Sequence, residues 1–133
     1  MSANKSPEQQ LTEIVRLDGR YPLEAFAFLH EGLARAVKHI HGDGGEARPR
    51  HVTGKQLCYS LRDEAVERWG ALAGTVLARW HVNSTLDFGN MVYLLVNNGL
   101  MQKTDEDSLE DFRDVFDFRH AFNPARIIEG SLG

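Results

Sequence analysis

Three histidines lie close together in the sequence, on either side of a glycine-rich stretch, and they are the first candidates for chemistry. His39 and His41 precede the stretch, and His51 follows it. Imidazole nitrogens are common zinc ligands, so the three form a candidate metal site. However, His39 and His41 are two residues apart on a predicted helix and therefore do not share a face. Histidines near a helix C-terminus also suit the helix dipole. We therefore predict no metal and no cofactor.

The same stretch carries the basic side chains best suited to binding an anion. The helix predicted to begin after Thr53 would add free backbone N–H groups at its N-terminus. A phosphate, an RNA or an acidic protein segment would fit such a surface. The competing interpretation is a solvated loop whose charges offset the acidic end of the chain. The candidate anion- or partner-binding residues are Arg48, Arg50, His51 and Lys55.

Nucleophilic and acid–base side chains do not predict a reaction. The sequence has no G-x-S-x-G motif, which would mark a nucleophilic serine. Cys58, the only cysteine, falls at a core position of a predicted helix. Asp63 and Glu67 are one helical turn apart, which suits either acid–base catalysis or a charged, solvated surface. We predict no catalytic residue. The enzyme alternative is one that binds a small anion with His51 and Arg50.

An acidic segment with interleaved aromatic residues follows the helical part of the chain. Seven carboxylates fall between positions 105 and 117, and Phe112, Phe116 and Phe118 alternate with them. This spacing indicates that the segment folds onto the core and is not a free acidic tail. Phe28 lies off the apolar stripe of its own helix. Either this helix is sandwiched between two other elements, or Phe28 contacts a partner. The candidate interface residues are Phe28, Asp105, Glu106 and Asp107.

The elements that must position these residues are helices. Residues 53–104 hold the longest regular apolar pattern, at steps of three and four. Thr53 and Gln56 have the spacing of a capping box, so a helix should begin near Gly54. Gly70 predicts a break. The apolar positions of the block are Leu57, Leu61, Ala65, Trp69, Leu72, Ala73, Val76, Leu77 and Trp80.

Further helices are predicted at residues 7–17, 22–41 and 85–98. A short strand is predicted at residues 100–103, and residues 109–118 fit either a helix or a second strand. The predicted inner face of the helix at 22–41 consists of Leu23, Phe26, Ala27, His30, Leu33, Ala34, Val37 and Ile40.

Together these elements predict a mainly α fold, a compact helical bundle with a small C-terminal β-hairpin, in a winged-helix-like arrangement. The predicted organisation is a disordered N-terminus at 1–6, a single helical domain at 7–122 with a glycine-rich internal loop at 42–52, and a C-terminal tail at 123–133. In a winged helix, residues 105–113 would form the wing. Their carboxylates would repel phosphates, which opposes DNA binding through this surface.

Length and charge restrict the function further. A chain of 133 residues fits one domain. The net charge of −4 and the isoelectric point of about 5.8 oppose general attraction to nucleic acid or to anionic membranes. No secretory signal and no apolar run of membrane-spanning length is recognised. We therefore expect a cytoplasmic protein without membrane association.

Three strings of the sequence together resemble a family: RYPLEAFAFLHEGL, RHVTGKQLCYSLRDEAVERWG and STLDFGNMVYLLVNNGLMQKTDEDSLEDFRDVFDF. The chain is similar, over residues 20–122, to an uncharacterised conserved bacterial family of planctomycetes and verrucomicrobia. The resemblance implies a bacterial, single-domain protein. It implies no activity, cofactor or site residue.

The leading functional hypothesis is a non-enzymatic protein-interaction or regulatory module. Self-association between Arg48 or Arg50 of one copy and the acidic segment of another is part of this hypothesis. The first alternative is a winged-helix-like nucleic-acid-binding protein that uses the basic loop 48–55. The second is the small-anion-binding enzyme. A preformed concave pocket lined by the basic loop would favour that enzyme, whereas a flat, solvated loop would oppose it.

Overall fold

The computed structural model describes residues 4–42 and 51–132, and it describes the side chains of these residues up to 130. Arg48, Arg50 and most of the predicted loop 42–52 lie outside the described residues. Residues 1–3 of the predicted disordered N-terminus also lie outside them.

Helices dominate the described residues, which confirms the prediction of a mainly α fold. No strand occurs in 4–42 or 51–132, so the predicted C-terminal β-hairpin is wrong. The predicted winged-helix-like arrangement needs this hairpin as its wing, and it is therefore not supported. Two short 3-10 turns, Gly70–Leu72 and Leu109–Phe112, lie between helices. The helices are α1 (Pro7–Asp18), α2 (Leu23–His41), α3 (Gly54–Trp69), α4 (Ala73–Arg79), α5 (Thr85–Asn97), α6 (Phe118–Ala121) and α7 (Pro124–Leu132).

The start and end of α3 follow from local sequence. The Thr53 hydroxyl accepts a hydrogen bond from the backbone N–H of Gln56 at 3.1 Å, and the Gln56 side chain accepts one from the Thr53 N–H at 2.9 Å. This is the predicted capping box, so the helix begins at Gly54. It ends at Trp69, and the predicted break at Gly70 is confirmed.

Close packing of α2 on α3 depends on a glycine. A Cβ atom at Gly32 would overlap the side chain of Leu61, and the Ser60 hydroxyl donates to the Gly32 carbonyl at 2.7 Å. The buried face of α2 is therefore rotated from the predicted one, and Leu23 is 41% exposed. Glycine has no apolar side chain, so the pattern of apolar residues does not indicate that α2 contacts α3 at Gly32. The buried residues of α2 are Ala25, Phe26, Phe28, Leu29, Gly32 and Ala36.

Phe28 belongs to the core and not to the surface. It is 2% exposed, and its ring lies 5.2 Å from Trp69 and 5.8 Å from Trp80. Its prediction as an interface residue is therefore wrong, because the three rings pack against one another. The predicted core position Leu72 is also wrong. It is 64% exposed, since the 3-10 turn after α3 changes the helical register.

The acidic segment packs on α5 in place of forming a hairpin. The Leu100 N–H donates to the Leu95 carbonyl at 2.9 Å, so the chain after α5 closes the helix C-terminus at Gly99, whose φ is 74°. Further on, the Val115 N–H donates to the Thr85 hydroxyl at 3.1 Å. Two backbone N–H groups of the predicted strands, those of Leu100 and Val115, thus have other partners.

The predicted C-terminal tail contains helix α7, Pro124–Leu132. The Asn123 side chain accepts a hydrogen bond from the Ala125 N–H at 2.9 Å and so starts this helix. Helix α7 contacts the 3-10 turn that follows α3. The folded region thus extends past residue 122.

Candidate functional site, a cleft beside the start of helix α3

A cleft of about 410 Å³ lies where four parts of the chain meet. Its walls come from the C-terminal half of α2, the start of α3, the C-terminal half of α5 and residues 101–112. Such a mixture of apolar walls and a few polar groups is typical of small-ligand sites. The apolar lining residues are Leu33, Val37, Val52, Leu57, Val92, Val96, Met101 and Phe112. The polar lining residues are His51, Thr53, Tyr93, Gln102, Lys103, Thr104, Asp107 and Asp111, together with the backbone of Gly54.

Close approach of α3 to the acidic segment shapes one side of the cleft. A Cβ atom at Gly54 would lie 2.9 Å from the Phe112 ring and 3.1 Å from the Asp111 Cβ. Only glycine fits this position without a shift of its neighbours. The Ser108 N–H donates to the Asp111 carboxylate at 2.9 Å, which holds the 3-10 turn in place. The positive N-terminus of α3 thus lies next to an acidic side chain, which favours both.

His51 and Asp107 bring the predicted basic and acidic regions together within one chain. His51 Nε2 lies 3.3 Å from Asp107 Oδ1, and the Thr104 N–H donates to Asp107 Oδ2 at 2.8 Å. On the other side, His41 Nε2 lies 2.7 Å from the His51 carbonyl oxygen. Since a carbonyl oxygen can only accept, His41 Nε2 is the donor. The basic loop and the acidic segment, which were expected to meet between two copies of the chain, are therefore already in contact within a single copy at His51 and Asp107.

Tyr93 lines the cleft, and its hydroxyl is buried and unsatisfied among the described residues. The hydroxyl oxygen is shielded from solvent and has no hydrogen-bond partner in the described part of the chain. Burial raises the pKa of Tyr93, and the charges of Asp107 and Asp111 raise it further. The hydroxyl therefore stays protonated at neutral pH and can both donate and accept. Its ring packs edge-on against Phe112 at a centroid distance of 6.5 Å.

The structure brings together only some of the predicted site residues. His51 and Asp107 line the cleft, whereas Lys55 is exposed outside it. Asp105 and Glu106 are exposed and also lie outside it. Phe28 is in the core, and the two arginines of the basic loop lie outside the described residues.

Sequence reasoning did not identify Tyr93 or the apolar walls of the cleft. Val92 and Val96 lie on the apolar stripe of α5, where Val92 is buried and Val96 is partly buried. The available signal was a tyrosine next to the apolar stripe of α5, because a buried tyrosine hydroxyl normally needs a partner. No local pattern indicates that residues 101–112 fold back to close the other side.

The histidines and Cys58 do not form a reactive centre in the described residues. Within 4–42 and 51–132, no group of three or more His, Cys, Asp or Glu side chains is placed to hold a metal ion. Cys58 is completely buried, and burial raises the pKa of its thiol to about 12. The thiol is thus protonated at neutral pH and a poor nucleophile. None of the described helices is both long enough and apolar enough to cross a membrane.

Comparison of the chain with protein-family models, with curated proteins and with solved structures finds no match. The resemblance to a conserved bacterial family therefore stays a prediction. The volume and the lining of the cleft are therefore the observations that indicate a function.

Proposed function

We propose that the protein is a non-enzymatic regulatory module whose cleft binds a small, largely apolar molecule. The observation that supports this most is the cleft itself, at about 410 Å³ and with mainly apolar walls. Small-ligand pockets usually have volumes of about 300–1,000 Å³. Filling the cleft would remove apolar surface from water on both the ligand and the protein, at about 25 cal/mol for each Å².

A regulatory role is proposed because a ligand in the cleft would contact two different parts of the fold. A molecule in the cleft touches helix α5 on one side and residues 101–112 on the other. A ligand that fits one arrangement of these parts better than another shifts the population toward it. The same segment presents the exposed carboxylates of Asp105 and Glu106 to solvent. Ligand binding would thereby alter a surface that a second protein can bind.

Protein interaction is the second part of the proposed function. Asp105 and Glu106 form no ion pair with any residue in 4–42 or 51–132. Unpaired surface carboxylates keep their full charge for a basic partner and speed its association at low salt. A second copy that offers Arg48 and Arg50 is one such partner. Sedimentation velocity at low and at high salt tests this, and an unchanged oligomeric state would oppose it.

The small-anion-binding enzyme is the main alternative. An imidazole beside a carboxylate at the edge of a preformed cleft, as in His51 and Asp107, is an arrangement that suits general acid–base catalysis. However, Asp107 and Asp111 both line the cleft and would repel an anionic substrate. Ligand binding without catalysis is therefore the better supported function.

Nucleic-acid binding has less support than either. In a winged helix, the helix before the wing reads DNA, and this position corresponds to α5. Helix α5 packs against Leu109–Phe112 at Gly89. The basic loop stays a candidate through Arg48, Arg50 and Lys55. A low-salt titration of labelled single-stranded RNA with the wild type and an Arg48→Ala/Arg50→Ala variant tests it. Equal binding by both, or none, excludes this function.

The leading proposal is tested by NMR titration of the ¹⁵N-labelled chain with uncharged apolar fragments. We expect chemical-shift changes that cluster around the cleft. A Val37→Trp change places an indole at a partly buried lining position and should abolish them. Ala27→Trp, at an exposed position on the same helix, is the matched control and should leave them intact. Shift changes elsewhere on the surface, or changes that persist in Val37→Trp, would refute the proposal.

A further inference from the structure

We infer that the ligand of the cleft is an uncharged molecule, an apolar ring or short chain that carries one hydroxyl or carbonyl group facing the Tyr93 hydroxyl. This inference rests on the proposed function and specifies the chemical class of its ligand. It follows from the charges that line the cleft and from the Tyr93 hydroxyl, which has no hydrogen-bond partner among the described residues.

Charged groups of both signs line the cleft among the described residues. Asp107 Oδ1 lies 3.3 Å from His51 Nε2, and Lys103 and Asp111 line the same cleft. The N-terminus of α3, at Gly54, adds a partial positive charge beside Asp111. An anion would therefore meet two carboxylates, and a cation would meet Lys103 and the helix N-terminus. A charge moved into mainly apolar surroundings without a dedicated partner is strongly disfavoured. The cleft thus suits an uncharged ligand.

Tyr93 supplies the polar contact. Its hydroxyl is buried and lacks a partner among the described residues, although nearly all buried polar side-chain atoms in proteins have one. An unmade hydrogen bond at a buried group destabilises the folded chain. A ligand hydroxyl would satisfy the Tyr93 oxygen as either donor or acceptor, and a carbonyl would accept its proton. A bound ligand would therefore supply the hydrogen bond that the Tyr93 hydroxyl lacks among the described residues.

Access to the Tyr93 hydroxyl requires movement, because neighbouring protein atoms shield it from solvent. Residues 101–107, which contribute to the cleft wall, contain neither helix nor strand. Their hydrogen bonds to one another are two between Thr104 and Asp107, at 2.8 Å and 3.1 Å, and one from Lys103 Nζ to the Thr104 carbonyl at 3.2 Å. Met101, whose side chain is flexible and polarisable, also lines the wall. This wall can shift without unwinding a helix.

Four probes that share a phenyl ring and differ in their polar group test the inference: 2-phenylethanol, toluene, 2-phenylethylamine and phenylacetate. Each is titrated by NMR into the full-length wild type and into Tyr93→Phe. We expect 2-phenylethanol to bind the wild type most tightly. Tyr93→Phe should weaken 2-phenylethanol binding about fivefold, as expected for one neutral hydrogen bond, and should not weaken toluene binding. Tyr59→Phe, which removes a hydroxyl outside the cleft, is the matched control and should change neither affinity.

The outcomes separate the inference from the proposed function. If the ammonium or the carboxylate probe binds most tightly, or if Tyr93→Phe leaves the ratio of 2-phenylethanol to toluene affinity unchanged, the ligand class is wrong while the cleft still binds ligands. If neither 2-phenylethanol nor toluene binds at the cleft, both the inference and the proposed function fail. The ranking of the probes on the wild type decides the charge preference even if Tyr93→Phe does not fold.

Discussion

Replacement of Thr85 by valine should destabilise the protein strongly, although it changes the shape of the side chain very little. Thr85 is 1% exposed at the start of α5. Its hydroxyl donates to the Phe112 carbonyl at 2.6 Å and accepts from the Val115 N–H at 3.1 Å. One side chain thus anchors the acidic segment on both sides of the bend that follows Leu109–Phe112. Valine keeps the shape of threonine and removes both hydrogen bonds.

The magnitude follows from the two backbone groups that would lose their partner. A buried acceptor left unpaired costs about 1–3 kcal/mol, and the partly exposed Val115 N–H, which water can reach, costs less. We expect Thr85→Val to lower the free energy of unfolding by about 2–4 kcal/mol. For a domain of this size, that corresponds to a fall in Tm of about 10 °C.

Urea denaturation followed by far-UV circular dichroism measures this loss. Thr75→Val is the matched control, because Thr75 is exposed on α4, and its change should stay within about 0.5 kcal/mol. Amide hydrogen exchange should also rise at residues 112–115 in Thr85→Val before it rises in α3. A loss below about 1 kcal/mol, or a loss equal to that of the control, would refute the role assigned to Thr85.

Three further predictions concern packing and titration. Gly89→Ala should destabilise the chain by about 1–3 kcal/mol, because its Cβ would lie 2.7 Å from Phe112 Cβ. Gly130→Ala, which meets nothing within 4 Å, should not destabilise it in the same denaturation assay. Burial raises the pKa of Tyr21 from 10.0 to about 12. The stability linked to its protonated form is complete below pH 10 and is lost between pH 10 and 12. Tyr21→Phe should remove this part of the pH dependence in denaturation measured from pH 9 to 12. Cys58 should react with a thiol reagent at pH 8 only at the rate of unfolding, because its thiol is buried and protonated. Fast labelling of the native protein would contradict this.

Local signals predicted the ends of helices well, because the groups that form a cap lie within a few residues of each other. Thr53 and Gln56 have the spacing of a capping box and make its hydrogen bonds. Ser108 and Asp111 have the same spacing, and the Ser108 N–H donates to the Asp111 carboxylate. The predicted helix at 22–41 differs from α2 by one residue at its start. The mainly helical fold class followed from the same periodicity.

Long-range contacts explain what the sequence did not reveal. The buried face of α2 and the fate of the acidic segment depend on Gly32 and Gly89, where neighbouring side chains take the space of a missing Cβ. A hydropathy pattern scores glycine as neutral, so these contacts were invisible. The expected hairpin failed for a similar reason, because Thr85 binds the backbone of a segment thirty residues away. His51 and Asp107 were both candidate residues, yet their pairing across the cleft required the fold.

The same contacts link the stability of the protein to the proposed binding. Gly54 and Gly89 admit Phe112 to the space between α3 and α5, and Phe112 is also a wall of the cleft. A ligand that binds only the folded chain stabilises it by RT ln(1 + [L]/Kd), about 2.7 kcal/mol at a hundredfold excess over Kd. Thr85→Val loosens this wall without touching the cleft itself. Ligand affinity should therefore fall in Thr85→Val, whereas Thr75→Val should bind as the wild type does, since α4 contributes nothing to the cleft.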